Sequence, residues 1–249
     1  MKKCSLLLCF LAVLLSSCTN RNVSVTISGD IKHANNQMIR LALITSDGMN
    51  FIDSVNLRNG QFEFKISSED ELIKERENSP MMFQLFLSED NCLSTMAKKG
   101  EHLQITADAE NLTRTYHVSG GEEAVLMQQL DSALTAFVVP VDQLYETYQT
   151  NVEDDSVRAQ IEQKYLVLLN HHRQYLENFI KMHPNNMATY IAFYQSYNRR
   201  NFFDIYRDLD LLKQINANMQ KVYPESEYVK SMKNVVDMVE MQLSQSKQE

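Results

Sequence analysis

Apolar residues recur at alternate positions up to Gly120-Gly121 and at every third or fourth position after it. That single change of period constrains the fold more than any other feature, because strands and helices need different spacings to bury one face. Val23, Val25 and Ile27 alternate in VSVTIS, Phe62, Phe64 and Ile66 in QFEFKIS, and Leu103 with Ile105 in HLQITA. The more continuous runs MIRLALI (38–44) and MMFQLFL (81–87) suit strands covered on both faces. Asn59-Gly60 stands between two such runs and predicts a hairpin, since both central residues of a type I′ turn need positive φ. Short strands at about ten-residue spacing predict an antiparallel β-sandwich or small barrel over 23–121. Residues 68–79, SEDELIKERENS, interrupt the pattern with charge and read as an exposed loop with one helical turn.

Beyond Gly121 the chain reads as an antiparallel helical bundle over 122–249, so the fold class is α+β. Ile161, Tyr165, Leu168, His172, Leu176, Phe179 and His183 form one stripe of a long helix. Asn151 is its expected N-cap, the acids Glu153, Asp154 and Asp155 suit its first turn, and Pro184 stops it. A second helix is expected to start at Asn185 or Asn186 and bury Tyr190, Phe193 and Tyr197. Further helices follow near 203–222 and 225–245, the last with Pro224 at its first position. The segment 122–150 is helical in pattern, with Pro140 expected to break or kink it.

The amino terminus has its own signature. Lys2 and Lys3 precede an apolar run, CSLLLCFLAVLL, which small residues follow. That is the layout of a bacterial signal peptide, and the run is shorter than the roughly 20 residues that span a bilayer. No later segment is expected to reach that length without charges, so a mature chain would have no transmembrane helix. Leu15-Ser16-Ser17-Cys18 resembles the lipobox of bacterial lipoproteins. The resemblance implies cleavage after residue 17, acylation of Cys18 and a lipidated tether over 18–22. Two or more acyl chains hold a protein on a membrane far better than one. Thr19 stands where an Asp would, by family precedent, retain a lipoprotein at the inner membrane, which implies the outer membrane, facing the periplasm.

Charge and cysteine content narrow the partners. Without Lys2 and Lys3, the 24 basic residues fall to 22 against 32 acidic ones, ten net negative charges. Such a chain repels phosphate backbones, and Lys98-Lys99 and Arg199-Arg200 are too small to make a basic patch, so nucleic acid is not an expected partner. Cys4 and Cys9 leave with the signal peptide and Cys18 is acylated, which leaves Cys92 alone and permits no intramolecular disulfide. Among Leu87, Leu93 and Met96 it is expected to be buried.

The order of features resembles a domain of unknown function found at the N-terminus of envelope lipoproteins of Gram-negative bacteria. The matching residues are SGDI at 28–31, IDSVNLRNGQFEFK at 52–65, GEHLQITAD at 100–108 and YHVSGG at 116–121. Gly100-Glu101 takes the place of that domain's usual Gly-Asp. FIKMHPNN at 179–186 and YPESEYVK at 223–230 are similar to the helical linker that follows it. In many relatives a TlpA-like thioredoxin domain with a Cys-x-x-Cys dithiol comes next. No Cys-x-x-Cys exists in this sequence. Thiol exchange needs an attacking thiolate and a resolving partner, so that chemistry does not carry over.

Other catalytic signatures are lacking too. Six dispersed glycines form no phosphate-binding loop, and there is no H-E-x-x-H and no G-x-S-x-G. His171 and His172 point about 100° apart on a helix and cannot close on one metal. Glu69-Asp70-Glu71 and Glu153-Asp154-Asp155 lack the glycine-turned loop of a calcium site and read as solvated helix starts. No cofactor or metal is called for. The aromatic stretch from Tyr190 to Tyr206 has core spacing, with Tyr194 and Phe202 the members expected to face outward as a partner surface. The expectation is a non-catalytic, lipid-anchored envelope protein that binds another envelope protein or a ligand. The alternative is an accessory of a disulfide-reducing pathway acting through Cys92 or a partner.

Overall fold

The computed structural model describes residues 22–246, so Cys4, Cys9 and Cys18 with the whole leader lie outside the described residues. Its N-terminal part is β1 (Val23–Lys32), β2 (Met38–Thr45), β3 (Gly48–Asn56), β4 (Gln61–Ser67), α1 (Glu71–Lys74), β5 (Met81–Ser88), β6 (Asn91–Ala97), β7 (His102–Asp108), α2 (Leu112–Thr115) and β8 (His117–Ser119). Two four-stranded sheets, β4-β1-β7-β8 and β3-β2-β5-β6, share one core. Val25, Ile27 and Ile31 of β1, Leu41 and Leu43 of β2 and Phe64 of β4 are buried in it, as the alternation predicts.

Two connections differ from the expected antiparallel plan. Asn59 and Gly60 do take positive φ, 53° and 81°, and Arg58 pairs with Gln61 across them. The strands on either side belong to different sheets, however, so this turn carries the chain across the sandwich instead of closing a hairpin. β1 also lies parallel to β7, with Ile27 opposite Leu103, while it is antiparallel to β4. Gly29 sits between those neighbours, where a Cβ would stand 1.8 Å from the carbonyl oxygen of Ile105. No other residue fits that spot without moving the ladder.

The helical part comprises α3 (Glu122–Thr150), α4 (Asp155–Met182), α5 (Ala188–Tyr194), the two-residue strands β9 (Ser196–Tyr197) and β10 (Arg200–Asn201), α6 (Leu209–Val222) and α7 (Glu227–Gln245). Pro140 lies inside a continuous α3 and does not break it. Asp154, not Asn151, caps α4, its Oδ1 accepting the amides of Ser156 and Val157 at 2.9 and 3.1 Å. A carboxylate three residues nearer the helix reaches those orphan donors, and Asn151 closes α3 instead. Likewise Ser226 precedes α7 and Pro224 lies in the turn before it. α6 starts at Leu209, later than the expected 203, after irregular residues. By length and composition α3 is apolar enough to cross a membrane, contrary to the expectation of no such segment. One face of it, with Leu126, Met127, Leu130, Phe137 and Val141, is nevertheless buried in the helical core.

The sandwich and the bundle are fastened together. Met96 of β6 is buried in the helical core and Met82 of β5 packs against it. Arg76 donates to both carboxylate oxygens of Glu227 at 2.6 and 3.0 Å, and Ser46 donates to the same group at 3.0 Å. The Tyr228 hydroxyl donates to the Ile44 carbonyl.

Candidate functional site

The α4 stripe read from the sequence exists, but only its second half has a roof. His172, Leu176 and Phe179 are buried, whereas Ile161, Tyr165 and Leu168 are half-buried. Within the roofed half, His172 lies between the rings of Phe137 and Phe202, at centroid distances of 5.1 and 4.4 Å. Its Nε2 bonds the Gln195 side-chain carbonyl at 2.7 Å, and the Gln195 amide donates to the Leu130 carbonyl at 3.3 Å. Burial pulls the His172 pKa below its ordinary value. Neutral, stacked between rings and bonded through Nε2, it is a core residue.

Beyond Val141 on α3 and before His172 on α4, no residue is buried. The two helices run on together as an arm of some nine residues on the α3 side, roughly 13 Å at 1.5 Å per residue. Their inward stripe continues past the other helices, with Tyr145 and Tyr148 following Phe137 and Val141 on α3, and Ile161 preceding Tyr165 on α4. Among the described residues only the β9–β10 turn reaches this region. Tyr197 meets Phe137 edge-on at 5.7 Å, and its hydroxyl donates to Asp142. The result is a cleft of about 680 Å³ lined by Val141, Asp142, Leu144, Tyr145, Tyr148, Ile161, Tyr165, Tyr197, Asn198 and Arg200. Its size falls in the range of binding clefts, and its walls combine rings and aliphatic groups with the polar side chains of Asp142, Asn198 and Arg200. Tyr145 is 61% exposed and Tyr148 39%, a large uncovered aromatic area for the end of a helical core.

The turn over the cleft is strained. Asn198 and Arg199 have φ of 49° and 62°. Asn tolerates this conformation, but an Arg there costs on the order of 1 kcal/mol. The turn presents Arg199 and Arg200 to solvent, and among the described residues neither has an ion-pair partner.

The partner surface expected at Tyr194 and Phe202 is not there as such. Phe202 is only 6% exposed and packs on Phe137 and His172, and Tyr194 is half-buried between Tyr190 and Phe193. Helical extrapolation fails for Phe202 because the chain reverses at β9–β10 before it and turns that ring back to the core. Tyr145 and Tyr148 went unpredicted, although steps of four, four and three from Phe137 place them on the same stripe.

Cys92 lies on β6, half-buried, with its sulfur accepting from the Gln84 amide at 3.5 Å. It borders a small cavity shared with Asn111, Thr113 and Asp131. Burial pushes its thiol pKa up, and the carboxylates of Asp131 and Asp90 push it further. Lys98 lies over the Tyr223 ring and Lys99 bonds Glu77, so neither lowers it. Such a thiol is protonated at neutral pH and a poor nucleophile.

One serine–histidine pair arises from strand register. Ser28 Oγ and His102 Nε2 are 2.7 Å apart on the exposed face of the first sheet. Ser28 gives its proton to Gln104 Oε1 at 3.0 Å, so His102 donates to the serine. That polarity is opposite to base activation of a nucleophile. Among the described residues no group of three His, Cys, Asp or Glu side chains is placed to hold a metal ion. Comparison of the chain with protein-family models, with curated proteins and with solved structures finds no match.

Proposed function

We propose that this protein is a non-catalytic, lipid-anchored envelope protein that docks a polypeptide on the open end of its helical bundle. The observation that carries the reading is the arm from 142 to 171, which continues the apolar stripe of the core yet contains no buried residue. Paired helices outside a bundle are marginal in water, and a helix laid into the groove between them is the standard way to complete such a surface. Tyrosine suits this role, since its ring buries well and its hydroxyl tolerates water when the partner is absent. Anchoring is supported by LLSSC at 14–18, by the likeness to envelope lipoproteins, and by Thr19 for the outer membrane, facing the periplasm. The raised thiol of Cys92 gives no support to a redox accessory role.

A photoreactive residue placed at Tyr148 in intact cells tests the docking site, with Met49 on the far sandwich as control. The expected result is a discrete protein adduct from position 148 and none from 49. No adduct at 148 would contradict the reading. The anchor is tested separately, because Cys18→Ala should abolish incorporation of labelled palmitate.

A further inference from the structure

Resting on that docking reading, we infer that the polypeptide seated on the groove is a second copy of this chain, related by a two-fold axis and running antiparallel, so that two arms close into a four-helix bundle. The arm offers two helices side by side with an uncovered stripe of Tyr145, Tyr148 and Ile161, and a second apolar groove at Leu144, Val167 and Leu168 borders it; what it lacks is two more helices with the same stripe. A second arm supplies them. A two-fold interface uses one patch twice, so the patch must complement itself in shape and in charge.

Charge is what selects the orientation. At the base of the arm stand Arg199 and Arg200, exposed and without ion-pair partners among the described residues. The tip holds Glu153, Asp154 and Asp155. Asp154 is used as the α4 cap and Asp155 pairs with Arg158, which leaves Glu153 exposed and unpaired among the described residues. Antiparallel docking sets each acidic tip over the other copy's arginine turn, at both ends of the bundle. Parallel docking would set acid on acid and arginine on arginine. The strained Asn198-Arg199 turn gains a reason in this arrangement, because it holds Arg200 at the cleft where the opposite tip arrives.

The same charges disfavour a membrane as the occupant. Residues 142–171 carry six acidic side chains against Arg158 and Lys164, which repels anionic headgroups. The overlap is short, so affinity in free solution is modest. Anchored copies confined to one membrane face meet at a much higher effective concentration.

The test is sedimentation equilibrium of the full lipidated chain, extracted into density-matched mild detergent. The wild type is expected to show a reversible monomer–dimer equilibrium that weakens with salt. Arg200→Glu should raise the dissociation constant roughly tenfold by reversing two symmetric contacts, and Glu153→Arg should do likewise. Arg200→Glu combined with Glu153→Arg should return it to within about threefold of wild type. Tyr148→Asp should leave monomer only. These positions are exposed, and circular dichroism checks that each variant is folded. A chain that stays monomeric throughout, or a dimer indifferent to Tyr148→Asp and to the charge exchange, would overturn the inference. A monomer that still gives an adduct with a different protein from position 148 defeats the second copy and leaves docking standing, whereas no adduct at all defeats docking itself.

Discussion

Asp131 shows how one side chain reports the packing of α3 on the sandwich. Its Oδ2 accepts the Tyr116 hydroxyl at 2.7 Å, and burial, opposed by that bond, holds its pKa up to about 6. Between its ordinary 3.8 and about 6 the folded chain keeps a proton that the unfolded chain has released. Stability therefore falls as pH rises through that window and is flat with respect to this group on either side. Asp131→Asn keeps an acceptor for Tyr116 and removes the titration. Urea midpoints measured from pH 4 to 7 should lose that descending component in the variant; a profile parallel to wild type would contradict the assignment. Nothing in the sequence marks Asp131, because its burial depends on α2 and α3 meeting over β6. Phe202 misleads for a related reason, since its direction is set by the chain reversal at Asn198-Arg199 and not by helical spacing.

At the scale of elements, strands and helices were legible wherever one face is buried along the whole element. QFEFKIS alternates in the structure as in the sequence, and the α4 stripe is where its spacing puts it. Which strands pair was not legible. The Asn59-Gly60 turn has its expected local geometry, but local geometry cannot say whether the next strand joins the same sheet. Helix ends shifted because several polar residues compete as caps and the three-dimensional path decides among them. Pro140 is the clearest case of context overriding propensity. It removes the amide that the Ala136 carbonyl would accept, yet α3 continues, since Ala136 is exposed and water can serve that carbonyl. Pro140→Ala should restore the bond and raise the free energy of unfolding by about 1–3 kcal/mol. Loss of stability in a denaturant titration of that variant would mean that the proline sets a bend the arm needs.

For the whole molecule, two cores are joined by a polar clamp and a methionine seam, and one end of the second core is left open. The clamp centres on Glu227, which receives Arg76 and Ser46 from the sandwich. Both members of the ion pair are largely shielded, at 15% and 20% side-chain exposure. Glu227→Ala strands a shielded arginine and should cost about 2 kcal/mol, read as a lower urea midpoint. An unchanged midpoint would show that the seam of Met82 and Met96 alone carries the junction. Whether that end stands open is read by amide hydrogen exchange across 142–171. In dilute purified chain these amides should exchange readily, because among the described residues nothing but the β9–β10 turn covers the arm. In membranes of the producing cells, where the proposed partner would occupy the groove, exchange in the same segment should slow at least about tenfold while the sandwich strands are unchanged. Equal rates in the two states would contradict the account.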